Sequence, residues 1–153
     1  MAATRRVLLA GSLASLLAPA ARAAAPLVEI WKLRGCGCCT LWARHLEATG
    51  FATRERAVRD LAAVRAALGV PEALAGCHSA RLDDLSIEGH VPALAIRRLL
   101  EDRPAWVAGL AVPGMPEGSP GMPSAEPETY DVLVFARDGR AAPFLRFRGE
   151  VLV

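Results

Sequence analysis

Reactive chemistry in this sequence is concentrated in Gly35-Cys36-Gly37-Cys38-Cys39-Thr40, where three of the four cysteines fall within four positions. Leu27 to Leu33 reads as a strand before this segment, and Leu41-Trp42-Ala43-Arg44-His45-Leu46 reads as a helix after it. The thiols therefore sit on a strand-to-helix turn. Unpaired N–H groups and the helix dipole at such a turn favour thiolate over thiol. Thiolates bind soft metal ions and attack disulfides. Cys36 and Cys39 also form a C-x-x-C, with Cys36 as attacking and Cys39 as resolving thiol in a disulfide exchange. A structural disulfide framework fits poorly. Staples gain most by closing long loops, and cysteines crowded into one tetrapeptide close almost nothing.

The supporting elements follow in order. The first helix runs from about Cys38 to Ala48 and ends at Gly50. Phe51 to Val58 alternates as a second strand. Asp60 caps a second helix, Leu61 to Leu68, closed by Gly69 and Pro71. Gly76 to Leu82 is a third strand opened by Cys77, Asp83-Asp84 a hairpin turn, and Leu85 to His90 a fourth strand. Pro92 opens a third helix, Ala93 to Glu101. Gly109 to Pro123 is rich in Gly and Pro, repeats Pro-Gly-Met at 113–115 and 120–122, and is expected to form a long loop rather than a helix or central strand. Tyr130 to Ala136 is a strand, and Phe144 to Phe147 pairs back on it around Asp138-Gly139. The periodicity gives an α/β fold of order β-α-β-α-β-β-α with a C-terminal hairpin. That order and the cysteine position suit a thioredoxin-like sandwich by analogy.

The first 23 residues read as an export address. Thr4-Arg5-Arg6 is basic, Val7 to Leu17 is an apolar run too short to span a bilayer, and Ala21-Arg22-Ala23 is a cleavage signal. Thr-Arg-Arg-Val-Leu-Leu is similar to a twin-arginine motif, so either the general or the twin-arginine route fits. The mature chain, 24–153, is then a single domain in the periplasm, with no further apolar run long enough to cross a membrane. The leader carries three arginines and no acid. The chain's 18 basic and 16 acidic residues thus become 15 and 16, a net charge near −1. No basic stripe is left for nucleic acid, and no strong electrostatic docking is expected.

Several segments together resemble a known family. They are Cys-Gly-Cys-Cys after the first strand, Gly-Cys-His-Ser-Ala, Ile-Glu-Gly-His-Val-Pro, Gly-Leu-Ala-Val-Pro-Gly-Met-Pro-x-Gly-Ser-Pro-Gly-Met and Tyr-Asp-Val-Leu-Val-Phe. In this order, from Leu27 to Gly139, they resemble the CopG-type copper-resistance family of small exported proteins. The resemblance implies a thioredoxin-like fold, a periplasmic address and copper bound by Cys36, Cys38, Cys39 and Cys77. Leu33-Arg34-Gly35 ahead of the cysteines and the arginine-rich tail beyond Gly139 depart from the family pattern without removing a ligand.

In a thioredoxin-like fold the third strand begins beside the first strand–helix turn, which would bring Cys77 to the other thiols. Four thiolates suit Cu(I), as one ion or a small thiolate-bridged cluster. Zinc accepts four cysteines too, but usually from two separated pairs. His78 is a candidate ligand or a hydrogen-bonding neighbour of the ligands, His90 less so, and His45 is expected at the surface or in the core. Met115 and Met122 carry thioethers that suit Cu(I), but packing of the loop on the sheet is the plainer reading, ahead of a lid over the site. Trp31, Trp42 and Trp106 read as core or core-edge residues. The expected function is periplasmic copper handling, as carrier, reservoir or copper-linked redox protein rather than a conventional enzyme, with another copper protein or an efflux system as partner. The alternative is a thiol–disulfide oxidoreductase using Cys36 and Cys39. Against it stand the off-path thiol of Cys38 and Cys77-His78-Ser79, where a thioredoxin-type fold places a cis-proline.

Overall fold

A computed structural model describes residues 24–153; the export address, 1–23, lies outside the described residues. The elements are β1 (Leu27–Leu33), α1 (Gly37–Ala48), β2 (Ala52–Val58), α2 (Leu61–Leu68), a short 3-10 turn (Glu72–Leu74), β3 (Ser79–Leu82), β4 (Leu85–Glu88), α3 (Ala93–Glu101), β5 (Gly109–Ala111), β6 (Thr129–Phe135), β7 (Ala141–Arg148) and β8 (Val151–Leu152). All eight strands join one mixed sheet in the order β2-β1-β3-β4-β5-β6-β7-β8. β1 pairs parallel with β2 and antiparallel with β3, and β4 pairs parallel with β5.

Local signals set most boundaries. The Asp60 carboxylate accepts from the Ala63 N–H at 3.0 Å and caps α2, which ends at Gly69 in the left-handed region. Pro92 precedes α3. Alternation along the strands divides two cores. Val28, Ile30, Leu85, Ile87, Leu110 and Val132 face α1 and α3, whose Trp42, Leu46, Ile96 and Leu99 are fully buried. Burying each such leucine or isoleucine contributes about 1.5–3 kcal/mol. On the opposite face a smaller cluster joins Val70 and Leu74 to Ala111 and Phe135. The helices thus cover both sides of the sheet.

Two expectations need correction. Gly109-Leu110-Ala111 is a central strand, not the start of a loop. These three residues precede the first proline of the segment and keep every N–H for the ladder. Gly109 fits where a Cβ would lie 2.3 Å from the Phe135 ring and 2.4 Å from the Ser86 carbonyl oxygen. The third and fourth strands are shorter than read, beginning at Ser79 and ending at Glu88, so Cys77 and His90 lie just beyond the ladder. Of the two places expected for Trp106, the core is excluded and the core edge remains: it is 41% exposed, under the Arg140 guanidinium at 5.5 Å. The C-terminal hairpin forms as expected and gains β8 as an unanticipated edge strand.

Candidate metal centre

Cys36 is the N-cap of α1, and Cys38 and Cys39 occupy its first turn. β1 delivers this turn at one end of the sheet. Trp31 of β1 pairs with Ser79 of β3 in the antiparallel register, so the residues just before Ser79 run alongside the end of β1 toward the cysteine turn. Cys77 reaches the cluster from this approach to β3 rather than from within it. Its sulfur lies 3.3 Å from that of Cys36, 3.4 Å from Cys38 and 3.5 Å from Cys39. All four sulfurs lie within 4.8 Å of one another. Cys36 and Cys39 are joined as a disulfide with Cα atoms 5.4 Å apart, while Cys38 and Cys77 are free. Cys39 is buried and Cys36 only partly so, which leaves Cys36 as the accessible member of the pair. Burial pushes the Cys77 thiol up to about 12, and the neighbouring Cys38 adds to the shift. Cys77 is therefore held as a thiol, and a metal ion bound there displaces its proton.

A buried carboxylate fixes the approach of Cys77. Glu88, fully buried on β4, accepts through Oε1 from the Gly76 N–H at 2.8 Å and from Arg65 Nε at 2.6 Å, and through Oε2 from the Ser79 hydroxyl at 2.5 Å. Arg65 of α2 also donates to the Gly76 carbonyl at 2.6 Å. Both sides of the Cys77-His78 dipeptide are thereby pinned to one charge pair. The sequence reading missed this role; the only signal was a glutamate beside Ile87 in a short strand with every residue buried. It also missed Lys32, whose ammonium donates to the Cys36 carbonyl at 3.4 Å and to Thr40, and pairs with Glu55. That contact places a cation beside the first turn of α1.

His78 and His90 are fully buried behind Cys77, their rings 5.0 Å apart and edge to face, with the Trp42 ring 4.3 Å from His78. Burial holds His78 well below the usual histidine range, with charge on His90 and Lys32 acting in the same direction. Burial also lowers His90, against the opposing effect of its hydrogen bond to the Pro120 carbonyl. His45 lies away from the sulfurs and accepts the Ala93 N–H at 3.2 Å, capping α3.

The Gly/Pro/Met segment divides its roles. Met115 is 54% exposed, so the packing expected for it is absent. It lines a cleft of about 350 Å³ together with Cys77, Leu33, Leu61, Arg65 and Gly114. Met122 is half-buried in the turn 118–122, away from that cleft. In the same turn Gly121 lies flat on α1, where a Cβ would stand 2.6 Å from the Cys38 carbonyl oxygen and 2.7 Å from the Trp42 nitrogen. The loop thus buttresses the helix that carries the cysteines.

A mixed α/β sheet protein with four cysteine sulfurs converging at the start of one helix is the class that these features define. The structure is similar to two solved structures of copper resistance protein CopG. Form 1 is 40% identical, has a TM-score of 0.75, and covers 81% of this chain and 99% of its own. Form 2 is 38% identical with the same TM-score, covering 80% and 98%. Residues 74–122, which hold Cys77, His78, Glu88, His90 and both loop methionines, match the family described as "Protein of unknown function, DUF411". No curated protein matches the chain. The chain belongs to the CopG family.

Proposed function

We propose that this protein is a periplasmic Cu(I)-binding protein of thioredoxin-like fold that acts in copper handling or tolerance, with copper as cargo held by Cys36, Cys38, Cys39 and Cys77. The carrying observation is the convergence of four sulfurs at 3.3 to 3.5 Å along four of their pairs. Thiolates about 2.3 Å from a tetrahedral ion stand about 3.8 Å apart, so small side-chain adjustments suffice to close the set on metal. The geometry alone would also suit zinc. Sulfur softness favours Cu(I), and kinship with proteins named for copper resistance supports copper. The periplasmic address rests on the leader-like residues 1–23. The test is anaerobic Cu(I) titration of the reduced protein against a competing chelator, with thiol counting. Tight saturable binding that protects all four thiols is expected; weak binding that leaves Cys77 reactive would overturn the assignment.

One observation favours a second reading, thiol–disulfide exchange. The Cys36–Cys39 disulfide is the product expected when Cys36 thiolate attacks a substrate disulfide and Cys39 thiolate displaces the mixed disulfide, releasing the substrate as a dithiol. The sulfurs of Cys38 and Cys77 lie 3.5 and 3.3 Å from Cys36 and offer competing partners at each step. The same disulfide removes two thiolates from the copper set, so reduction of this bond is required before four-sulfur binding. Turnover of a disulfide substrate that is abolished by Cys36→Ser would support this reading, and no turnover by the reduced protein would remove it.

A further inference from the structure

The end of the sheet away from the sulfurs carries a cleft of its own. β3 runs from Ser79, beside Trp31 near the cysteine turn, to Leu82 beside Val28, so the Asp83-Asp84 turn marks the far end. Ser86, Gly109 and Phe135 pair across β4, β5 and β6 close to that end. The loop after α3 and the turn after β6 therefore meet the 83–84 turn. Between them opens a cleft of about 400 Å³ lined by Asp84, Arg103, Trp106, Arg137, Asp138 and Arg140. Small-molecule sites run from about 300 to 1,000 Å³. The backbone around the cleft is fixed by the sheet. The Ala108 N–H donates to the Phe135 carbonyl at 2.8 Å, and the Ala136 N–H to the Arg140 carbonyl at 2.8 Å.

The charges in the cleft do not cancel. Arg103 forks onto Asp84, Nη1 to Oδ1 at 3.1 Å and Nη2 to Oδ2 at 2.5 Å, and Arg140 Nε donates to Asp138 at 2.8 Å. Three guanidiniums against two carboxylates leave one positive charge over, and Arg137 carries it. Its side chain lies across Gly69 at the end of α2, where a Cβ would stand 2.9 Å from Nη1. Among the described residues it makes no ion pair, although Asp83 lines a smaller cleft on its other side. Trp106 adds an exposed flat ring to the same cleft, with the Arg140 guanidinium over it. A tryptophan left at the surface beside an uncommitted arginine offers both an apolar face and a fork for an oxyanion.

We propose that this cleft binds a small aromatic monocarboxylate, its carboxylate on Arg137 and its ring against Trp106. The site goes beyond the copper reading and does not depend on it. A single negative charge matches the one positive charge left over. A doubly charged phosphate would meet Asp84 and Asp138 in the same space and be repelled by them. The Arg103 fork on Asp84 shows that a carboxylate is held in two-pronged fashion in this cleft. The Asp138 and Arg140 side chains are 55% and 67% exposed, and exposed pairs of this kind are weak, so they yield to an entering ring at little cost. The flat guanidinium of Arg140 can then cover the ligand as it covers Trp106.

The experiment is a benzoate titration of the ¹⁵N-labelled, metal-free protein, read through the indole N–H and arginine Nε–H signals. The Trp106 indole and Arg137 Nε–H signals should shift and saturate. The Trp42 indole, which donates to the Val91 carbonyl in the core, should stay unmoved. Benzamide, which keeps the ring without the charge, and acetate, which keeps the charge without the ring, should each bind at least about tenfold more weakly. Arg137→Ala should weaken benzoate by at least about tenfold and Trp106→Ala by about fivefold. Arg148→Ala, an exposed arginine of β7 outside the cleft, should leave benzoate binding unchanged. The wild-type shifts do not depend on any variant folding. Shifts that fail to saturate, or that persist unchanged in Arg137→Ala, would overturn the site. Inorganic phosphate bound as tightly as benzoate would overturn the assignment of its ligand.

Discussion

The sulfurs of Cys36 and Cys77 lie 3.3 Å apart although 41 residues separate them in the chain. Three thiols of the site are local to one helical turn, and the fourth arrives through pairing of β3 with β1. The site therefore forms only when the central sheet forms. Cys77→Ser should raise the Cu(I) dissociation constant at least tenfold, because a hydroxyl is a poor ligand for a soft ion. Chelator competition on the reduced protein checks this, and an unchanged constant would remove Cys77 from the ligand set.

Glu88 touches no sulfur, yet it anchors Gly76 and Ser79 on either side of the dipeptide that carries Cys77. Glu88→Ala leaves Arg65 as a partly buried charge without its carboxylate. Breaking a buried pair in this way costs about 3–5 kcal/mol. Urea unfolding of the metal-free protein should show this loss, and Cu(I) affinity should fall with it. A loss under about 1 kcal/mol would mean that the charge pair does not hold the loop.

Gly121 sits at φ +88° with the first turn of α1 directly above it. Gly121→Ala places a methyl 2.6 Å from the Cys38 carbonyl oxygen in a conformation that alanine rarely adopts. Thermal unfolding should reveal a loss of about 2–4 kcal/mol, at the upper end of single-residue effects. Gly114→Ala gives the comparison, since its Cβ would meet nothing within 4 Å. It should cost only the backbone strain, about 1 kcal/mol. Equal losses in the two variants would show that the loop does not press on α1.

All three histidines are lowered below their ordinary value of 6.5, with burial the largest cause in each. As pH falls through about 6.5, unfolded histidines take up protons that the folded ones refuse. The unfolded state then binds more protons, so stability falls as pH falls. The contribution is complete above 6.5 and is lost progressively as pH falls toward the folded values. Denaturation of the metal-free protein should show a drop of more than about 1 kcal/mol between pH 7 and 5, since each tenfold weakening of proton affinity on folding is worth about 1.4 kcal/mol. Carboxylates such as Glu29 and Asp131 are lowered from 4.5 and 3.8 and titrate below that window. A flat profile from pH 7 to 5 would show that the histidines are hydrated in the folded state.

The local parts of the site were legible in the sequence, and the long-range parts less so. The strand, the turn of three cysteines and the helix after it are contiguous, and Asp60, Gly69 and Pro92 mark helix ends through interactions within a few residues. The short strand β5 was hidden because proline and glycine follow it immediately, and pairing with β4 and β6 decides its conformation rather than propensity. The Glu88–Arg65 pair and the meeting of His78 with His90 depend on strand register, which a one-residue slip would reverse. Met115 was misjudged since a thioether fits a core or a wet cleft equally well by type, and only the path of the loop selects the cleft.

Copper K-edge X-ray absorption of the reduced, Cu(I)-loaded protein reads which atoms of this chain hold the ion. The nearest neighbours of copper should be mainly sulfur, with fewer sulfur neighbours per copper in Cys77→Ser. Neighbours of nitrogen and oxygen alone, unchanged by that substitution, would rule out the cysteine sulfurs as ligands.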